Sequence, residues 1–224
     1  VANFKTHLSA GYAANIAAVT GLWLTGMADI PESLLYVVAG TVGSILPDID
    51  ANKSLPLKLM FNIAALIIAF FALLGQKSDT PPLFLFLLWS AVFLSVRYGG
   101  LFIFSRLTVH RGLIHSVPAG VLCCFLTTVL LYRIFHASNF TAWMTGIFVF
   151  FGFLIHLILD EFSSIRMSEK RIKKSFGTAL KAGSFKYLKK TLMLYITIIA
   201  LFCLTPAPGS FVHAVLKKSP WLAP

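Results

Sequence analysis

Acidic side chains are scarce in this sequence. Eight Asp and Glu stand against nineteen Lys and Arg in 224 residues, a formal net charge of +11. Charged residues of both signs make up only 12%, about half of what a soluble domain carries. Cysteine is sparse too. Cys123, Cys124 and Cys203 lie in apolar runs with no CxxC spacing, which argues against a disulfide scaffold and against a thiolate metal site. Internal repeats and low-complexity linkers are missing. So is the basic–aromatic interleaving on which nucleic-acid bases stack, and no nucleic-acid partner is expected. The opening Asn3–His7 runs into an interrupted apolar stretch without an A-x-A-like site, so no cleavable signal peptide is expected.

What the chain has is apolar length. Hydrophobic residues make up 58% and mean hydropathy is +0.84. They gather into runs, and a helix of roughly 20 apolar residues crosses a bilayer. Seven such segments are predicted, at about Leu8–Met27, Ile30–Leu46, Leu57–Gly75, Pro82–Ser105, Leu113–Phe135, Thr141–Ile165 and Leu188–Leu204. Pro56, Pro81-Pro82 and Pro206 mark boundaries, where a missing N–H is tolerated. The fold class expected is all-α, a polytopic transmembrane bundle of about seven spans. It forms one domain over residues 1–205, followed by a C-terminal tail, 206–224.

Lys and Arg orient the bundle. Arg166, Lys170, Arg171, Lys173, Lys174, Lys181, Lys186, Lys189 and Lys190 crowd the loop 166–190, whereas the turn 136–140 has none. The positive-inside bias makes the basic loop cytoplasmic. Counting back through the spans puts the N-terminus, residues 47–56 and residues 106–112 on that face as well. The pair Lys217-Lys218 falls on the opposite face and runs against the bias.

Onto this map fall the imidazoles and carboxylates. His7 opens the first span. Asp48 and Asp50 follow the second in Pro47-Asp-Ile-Asp50. His110 and His115 bracket the start of the fifth in His110-Arg-Gly-Leu-Ile-His-Ser116. His156 and Asp160 end the sixth in His156-Leu-Ile-Leu-Asp160. All seven reach the cytoplasmic level, although that level was derived from Lys and Arg alone. His136 and His213 lie off it. His156 and Asp160 are i,i+4 and share a helix face. Asp48 and Asp50 flank one residue of an expected extended turn, where alternate side chains point the same way and can bridge two ions. His nitrogens with Asp oxygens suit zinc first, then manganese or iron, and seven ligands are enough for two or more ions. Taken singly, each residue has a plainer reading: a hydrogen bonder between helices, a helix-ending turn at Pro47, or counter-charges for the basic loop. Together, ionisable groups at one membrane level mark a functional site. Arg97, about 24 Å along its helix from Pro81, and Arg111 beside His110 are candidate anion-binding guanidiniums.

At these residues the sequence resembles the YdjM-like family of bacterial inner-membrane, metal-dependent hydrolases. Thr6-His7, Gly43–Asp50, His110–Ser116 and His156–Phe162 carry the resemblance, in that order. The family is distantly similar to zinc-dependent phospholipase C, in which His and Asp, including a helical His-x-x-x-Asp pair, hold a zinc cluster. The resemblance implies hydrolysis, with phosphoesters as substrates. The expected site then has His7, Asp48, Asp50, His110, His115, His156 and Asp160 on metal. Asp50 or Glu161 serves as base, and Arg111 and Arg97 steady an anionic group. The expected substrate is a membrane lipid, a phospholipid or other lipid-linked phosphate. Two further readings stay open: an ion- or proton-coupled transporter, and a non-catalytic metal-binding scaffold.

Overall fold

A computed structural model describes residues 4–50, 55–74, 76, 80–100, 102, 115–166, 171–172 and 188–218. Among these residues, apart from a two-residue antiparallel pairing, Ile165–Arg166 with Arg171–Ile172, the regular structure is helical. In chain order the α-helices are α1 (Phe4–Leu24), α2 (Ile30–Gly43), α3 (Leu55–Leu74), α4 (Pro82–Leu94), α5 (Val117–Arg133), α6 (Asn139–Ser164), α7 (Leu188–Leu204) and α8 (Pro208–Lys218). The first seven fall on the seven apolar segments.

The chain divides into two compact units, residues 1–47 with 113–224 and residues 48–112. The smaller contains α3, α4 and a π-helical turn, Ser95–Gly100, that continues α4 and packs on α3. The larger is built around α6, which packs against α1, α2, α5 and α8, while α7 packs on α5.

Local chemistry sets the helix ends. Asp29 caps α2 in a capping box: its carboxylate accepts from Glu32 N, and the Glu32 carboxylate accepts from Asp29 N. Thr141 Oγ1 on α6 donates to the other Glu32 oxygen at 2.8 Å, tying the cap to the central helix. Gly26, at φ 71°, ends α1 in a Schellman turn, with Gly26 N bonded to Trp23 O and Met27 N to Leu22 O.

Glycine lets the helices of the larger unit meet backbone to backbone. A Cβ at Gly152 of α6 would strike the Gly40 carbonyl, and at Gly43 of α2 it would strike the Val149 carbonyl. Gly11 of α1 lies against Ser44, and Gly40 against the Asn15 amide. Small residues at such contacts are how helices pack closely where no water drives them together.

Among the described residues, three helical stretches are long and apolar enough to cross a membrane: Ile30–Asp48, Pro82–Gly100 and Asn139–Ser163. A fourth is counted if α7 and α8, bent by 65° between them, form one broken span. None of the Pro82–Gly100 window is buried within the protein. Leu83, Phe84, Phe86 and Leu87 are exposed on it, as expected of a helix surrounded by hydrocarbon.

Candidate metal centre

The site is assembled at one end of the larger unit, where α1 and α5 begin and α2 and α6 finish. His7 stands in the first turn of α1. His115 precedes Ser116, the N-cap residue of α5. His156 and Asp160 lie one turn apart near the end of α6 and project from the same face. The three imidazoles are buried: His7 and His156 at 0% exposure and His115 at 6%. His7 and His156 stack with ring centres 3.7 Å apart, and His115 meets His156 edge-on at 5.5 Å.

Asp160 is the common neighbour. Its Oδ1 lies 3.3 Å from His7 Nε2, and its Oδ2 lies 3.7 Å from both His115 Nε2 and His156 Nε2. Charge-assisted N–H···O⁻ bonds close to about 2.7–2.9 Å. These separations are longer. Donors on one tetrahedral zinc, each about 2.0–2.1 Å from it, stand about 3.3–3.4 Å apart, and the His–Asp set is close to that spacing. Donor atoms of His7, His156 and Asp160 all lie within 4.8 Å of one another. Among the described residues, His7 Nδ1 has no hydrogen-bond partner, and His7 Nε2 has only the 3.3 Å approach of Asp160 Oδ1. A buried polar atom without a partner costs about 1–3 kcal/mol, a cost that a bound cation removes. The donor set therefore fits a divalent ion.

One backbone group orients the set. His156 Nδ1 lies 2.7 Å from the Ser44 carbonyl, which accepts only if Nδ1 carries the proton. That tautomer leaves the Nε2 lone pair directed toward Asp160, the outer-shell arrangement that metal-binding histidines use. Ser44 reaches this place because Gly11 and Gly152 let α1 and α6 close on the end of α2. Beside the site, Ala119, Phe153 and Leu157, with Leu46 and Val117 packed on them, form an apolar wall.

His7, His115, His156 and Asp160, all expected from the sequence, are thus brought together. Asp48 follows buried Pro47 in the 3-10 turn Leu46–Asp50, at the start of the smaller unit. This corrects one expectation. The turn is 3-10, not extended, and a 3-10 turn advances about 120° per residue. Pro47, with φ held near −65°, suits that coil. The Asp50 side chain, His110 and Arg111 lie outside the described residues. Glu161 follows Asp160 and projects about 100° further round α6. Arg97 lies in the π-helical turn of the smaller unit, its guanidinium 5.1 Å from the centre of the Tyr98 ring. His136, at φ 52° in the turn before α6, and His213 on α8 stay away from the site.

Ser44, Gly11 and Gly152 were not singled out from the sequence. A faint signal was present for the glycines: Gly11 lies one turn after His7, and Gly152 one turn before His156.

Residues 3–168 match the family model described as YdjM inner membrane protein. No curated protein and no solved structure matches the chain. The matched stretch runs from α1 to just past α6 and contains every ligand candidate.

Proposed function

Since the chain belongs to the YdjM inner membrane protein family, we propose that it is a membrane-embedded, metal-dependent hydrolase. Its substrate in this reading is a phospholipid or another lipid-linked phosphate at the membrane interface. The observation that supports it most is the close spacing of the His7, His156 and Asp160 donors, with both imidazoles fully buried. These three would hold the ion, zinc before manganese or iron. His115, Asp48, Asp50 and His110 complete the set for it or for a second ion. Once bound, such an ion lowers the pKa of a coordinated water and polarises a phosphoryl oxygen.

The rest falls to the chain's own groups. The Ser44 carbonyl keeps His156 in the tautomer that offers Nε2. The wall of Phe153 and Leu157 keeps bulk water from one side of the carboxylate. A carboxylate oxygen of Asp50 or Glu161 accepts the water's proton. Arg111 and Arg97 neutralise the phosphate. In the seven-span topology with the basic loop 166–190 inside, this end of the helices faces the cytoplasm, where a headgroup reaches it from the inner leaflet.

A transporter reading draws on a different observation. Asn15 Oδ1 is fully buried without a hydrogen-bond partner among the described residues, on the stretch of α1 that runs away from the site. One experiment separates the two readings. The purified protein is assayed for bound metal, then incubated with zinc or manganese and an inner-membrane lipid extract, and products are read by mass spectrometry. His156→Ala serves as control, and cation flux into proteoliposomes is measured in parallel. A vanishing lipid species and its released headgroup phosphate support hydrolysis. Flux without turnover supports transport. Protein that takes up no metal and cleaves nothing sinks the hydrolase.

A further inference from the structure

The stretch after α7 carries an observation that the hydrolase reading does not use. α7 and α8 meet at a 65° bend around Pro206, and both ends of α8 are held at the same end of the larger unit. At its start, Arg133 Nε donates to Leu204 O at 3.3 Å, Trp143 Nε1 to Pro206 O at 3.1 Å and Asn139 Nδ2 to Ala207 O at 3.3 Å. At its finish, Lys218 Nζ donates to Met27 O at 3.4 Å and sits 4.2 Å from the centre of the Phe140 ring. Arg133 closes α5, Asn139 and Phe140 open α6, and Met27 lies between α1 and α2. Every one of these belongs to the end opposite His7, Ser44, His115 and Asp160. α8 therefore does not return across the bundle. It lies along the far end, about 16 Å long by its rise.

Its faces are unlike. Phe211, Ala214 and Val215 pack on the core around Tyr36, Phe140 and Phe148, with Phe211 also against Trp143. Val212 and Leu216, one turn apart, remain exposed on one flank. His213 and Lys217, 100° further round, are exposed on another. Pro208–Lys218 contains no acid. A short helix that lies flat, with an apolar flank left over and a basic flank beside it, has the make-up of an interfacial helix.

We infer that α8 lies in the membrane interface on the face opposite the metal centre. Val212 and Leu216 enter the acyl boundary there, and Lys217 meets anionic phospholipid headgroups. The inference accounts for the Lys217-Lys218 pair, which runs against the positive-inside bias. Lys218 is taken up by Met27 O and the Phe140 ring, and Lys217 is turned to the headgroups.

Spin labels test this. Val212→Cys, His213→Cys and Leu216→Cys are made in protein carrying Cys123→Ala, Cys124→Ala and Cys203→Ser, and reconstituted into phosphatidylcholine with or without phosphatidylglycerol. Collision with oxygen reports the acyl boundary; collision with a water-soluble nickel chelate reports water. The ratio of oxygen to nickel accessibility is expected several-fold higher at 212 and 216 than at 213. Phosphatidylglycerol should raise it, and Lys217→Gln should abolish that rise. Benzoylphenylalanine at position 212 of the otherwise native chain should crosslink to lipid. Four results each overturn the inference: nickel-favoured labels at 212 and 216, labels shielded from both reagents by a second copy or another protein, no response to phosphatidylglycerol, or crosslinks to protein alone.

Discussion

Asp160→Asn is the sharpest perturbation of the site. The amide has nearly the shape of the carboxylate, so the contacts of α6 are kept. What is lost is the anionic donor lying 3.3 to 3.7 Å from three imidazole nitrogens. Zinc at 100 times its dissociation constant stabilises the protein that binds it by about 2.7 kcal/mol. For a chain of this length that raises Tm by about 5–10 °C. Changing even an outer partner of a metal ligand weakens binding by about 10–100-fold, so removing this donor should weaken it by at least about 100-fold. At the same zinc concentration the stabilisation then drops to about 0.4 kcal/mol, a shift of about 1 °C. The assay is thermal unfolding in detergent after chelation, with zinc, manganese or iron(II) added back to wild type and variant. Two results refute the reasoning. One is a wild type shifted by none of the three ions; the other is a variant shifted as far as wild type. If Asp160 serves only as counter-charge to its histidines, the substitution lowers Tm without metal, and zinc moves neither protein.

Further outcomes follow from the packing. Gly152→Ala places a Cβ against the Gly40 carbonyl and the Ser44 amide nitrogen. It should cost about 1–3 kcal/mol and weaken metal uptake, because Ser44 must move away from His156. Gly21→Ala, whose Cβ would meet nothing within 4 Å, should be neutral or stabilising by up to about 1 kcal/mol; paired melting curves check both. Asp29→Ala removes the α2 cap and should cost about 0.5–2 kcal/mol with metal content unchanged, read by unfolding and elemental analysis together. Thr141→Val leaves Glu32 Oε1 without its donor on α6 and should cost about 0.5–1.5 kcal/mol, again without loss of metal.

Much of the helical layout was legible because apolar runs bounded by proline leave few alternatives. Discrepancies arose where polarity hid a helix. α1 begins at Phe4, ahead of the apolar run, because Lys5, Thr6 and His7 are helical despite their charge or polarity. α8 sits in a stretch read as a tail, since Pro206 suggested an end and its amphipathic face is too short to resemble a span. The i,i+4 spacing of His156 and Asp160 puts them on one face of α6, and His7 and His115 lie at the same level beside them. The Ser44 carbonyl was invisible, because a backbone acceptor has no residue-type signature. The roles of Gly11 and Gly152 depend on which helix lies opposite, and one chain's pattern does not contain that. The backbone at Pro47–Asp50 is 3-10 where an extended turn was expected, because Pro-Asp-x-Asp is as compatible with the one as with the other.

The distance along the chain between the two closest partners in the site has a consequence for biogenesis. His7 belongs to α1, which leaves the ribosome well before α6 and its Asp160. At about 5–20 residues per second, on the order of ten seconds or more pass between their emergence, while the whole unit 48–112 is made. Throughout that interval the imidazole of His7 has none of its α6 neighbours. If the centre takes a metal as proposed, loading would come late, after α6 has been delivered beside α1, and a nascent chain arrested at the α5–α6 turn would present half a site.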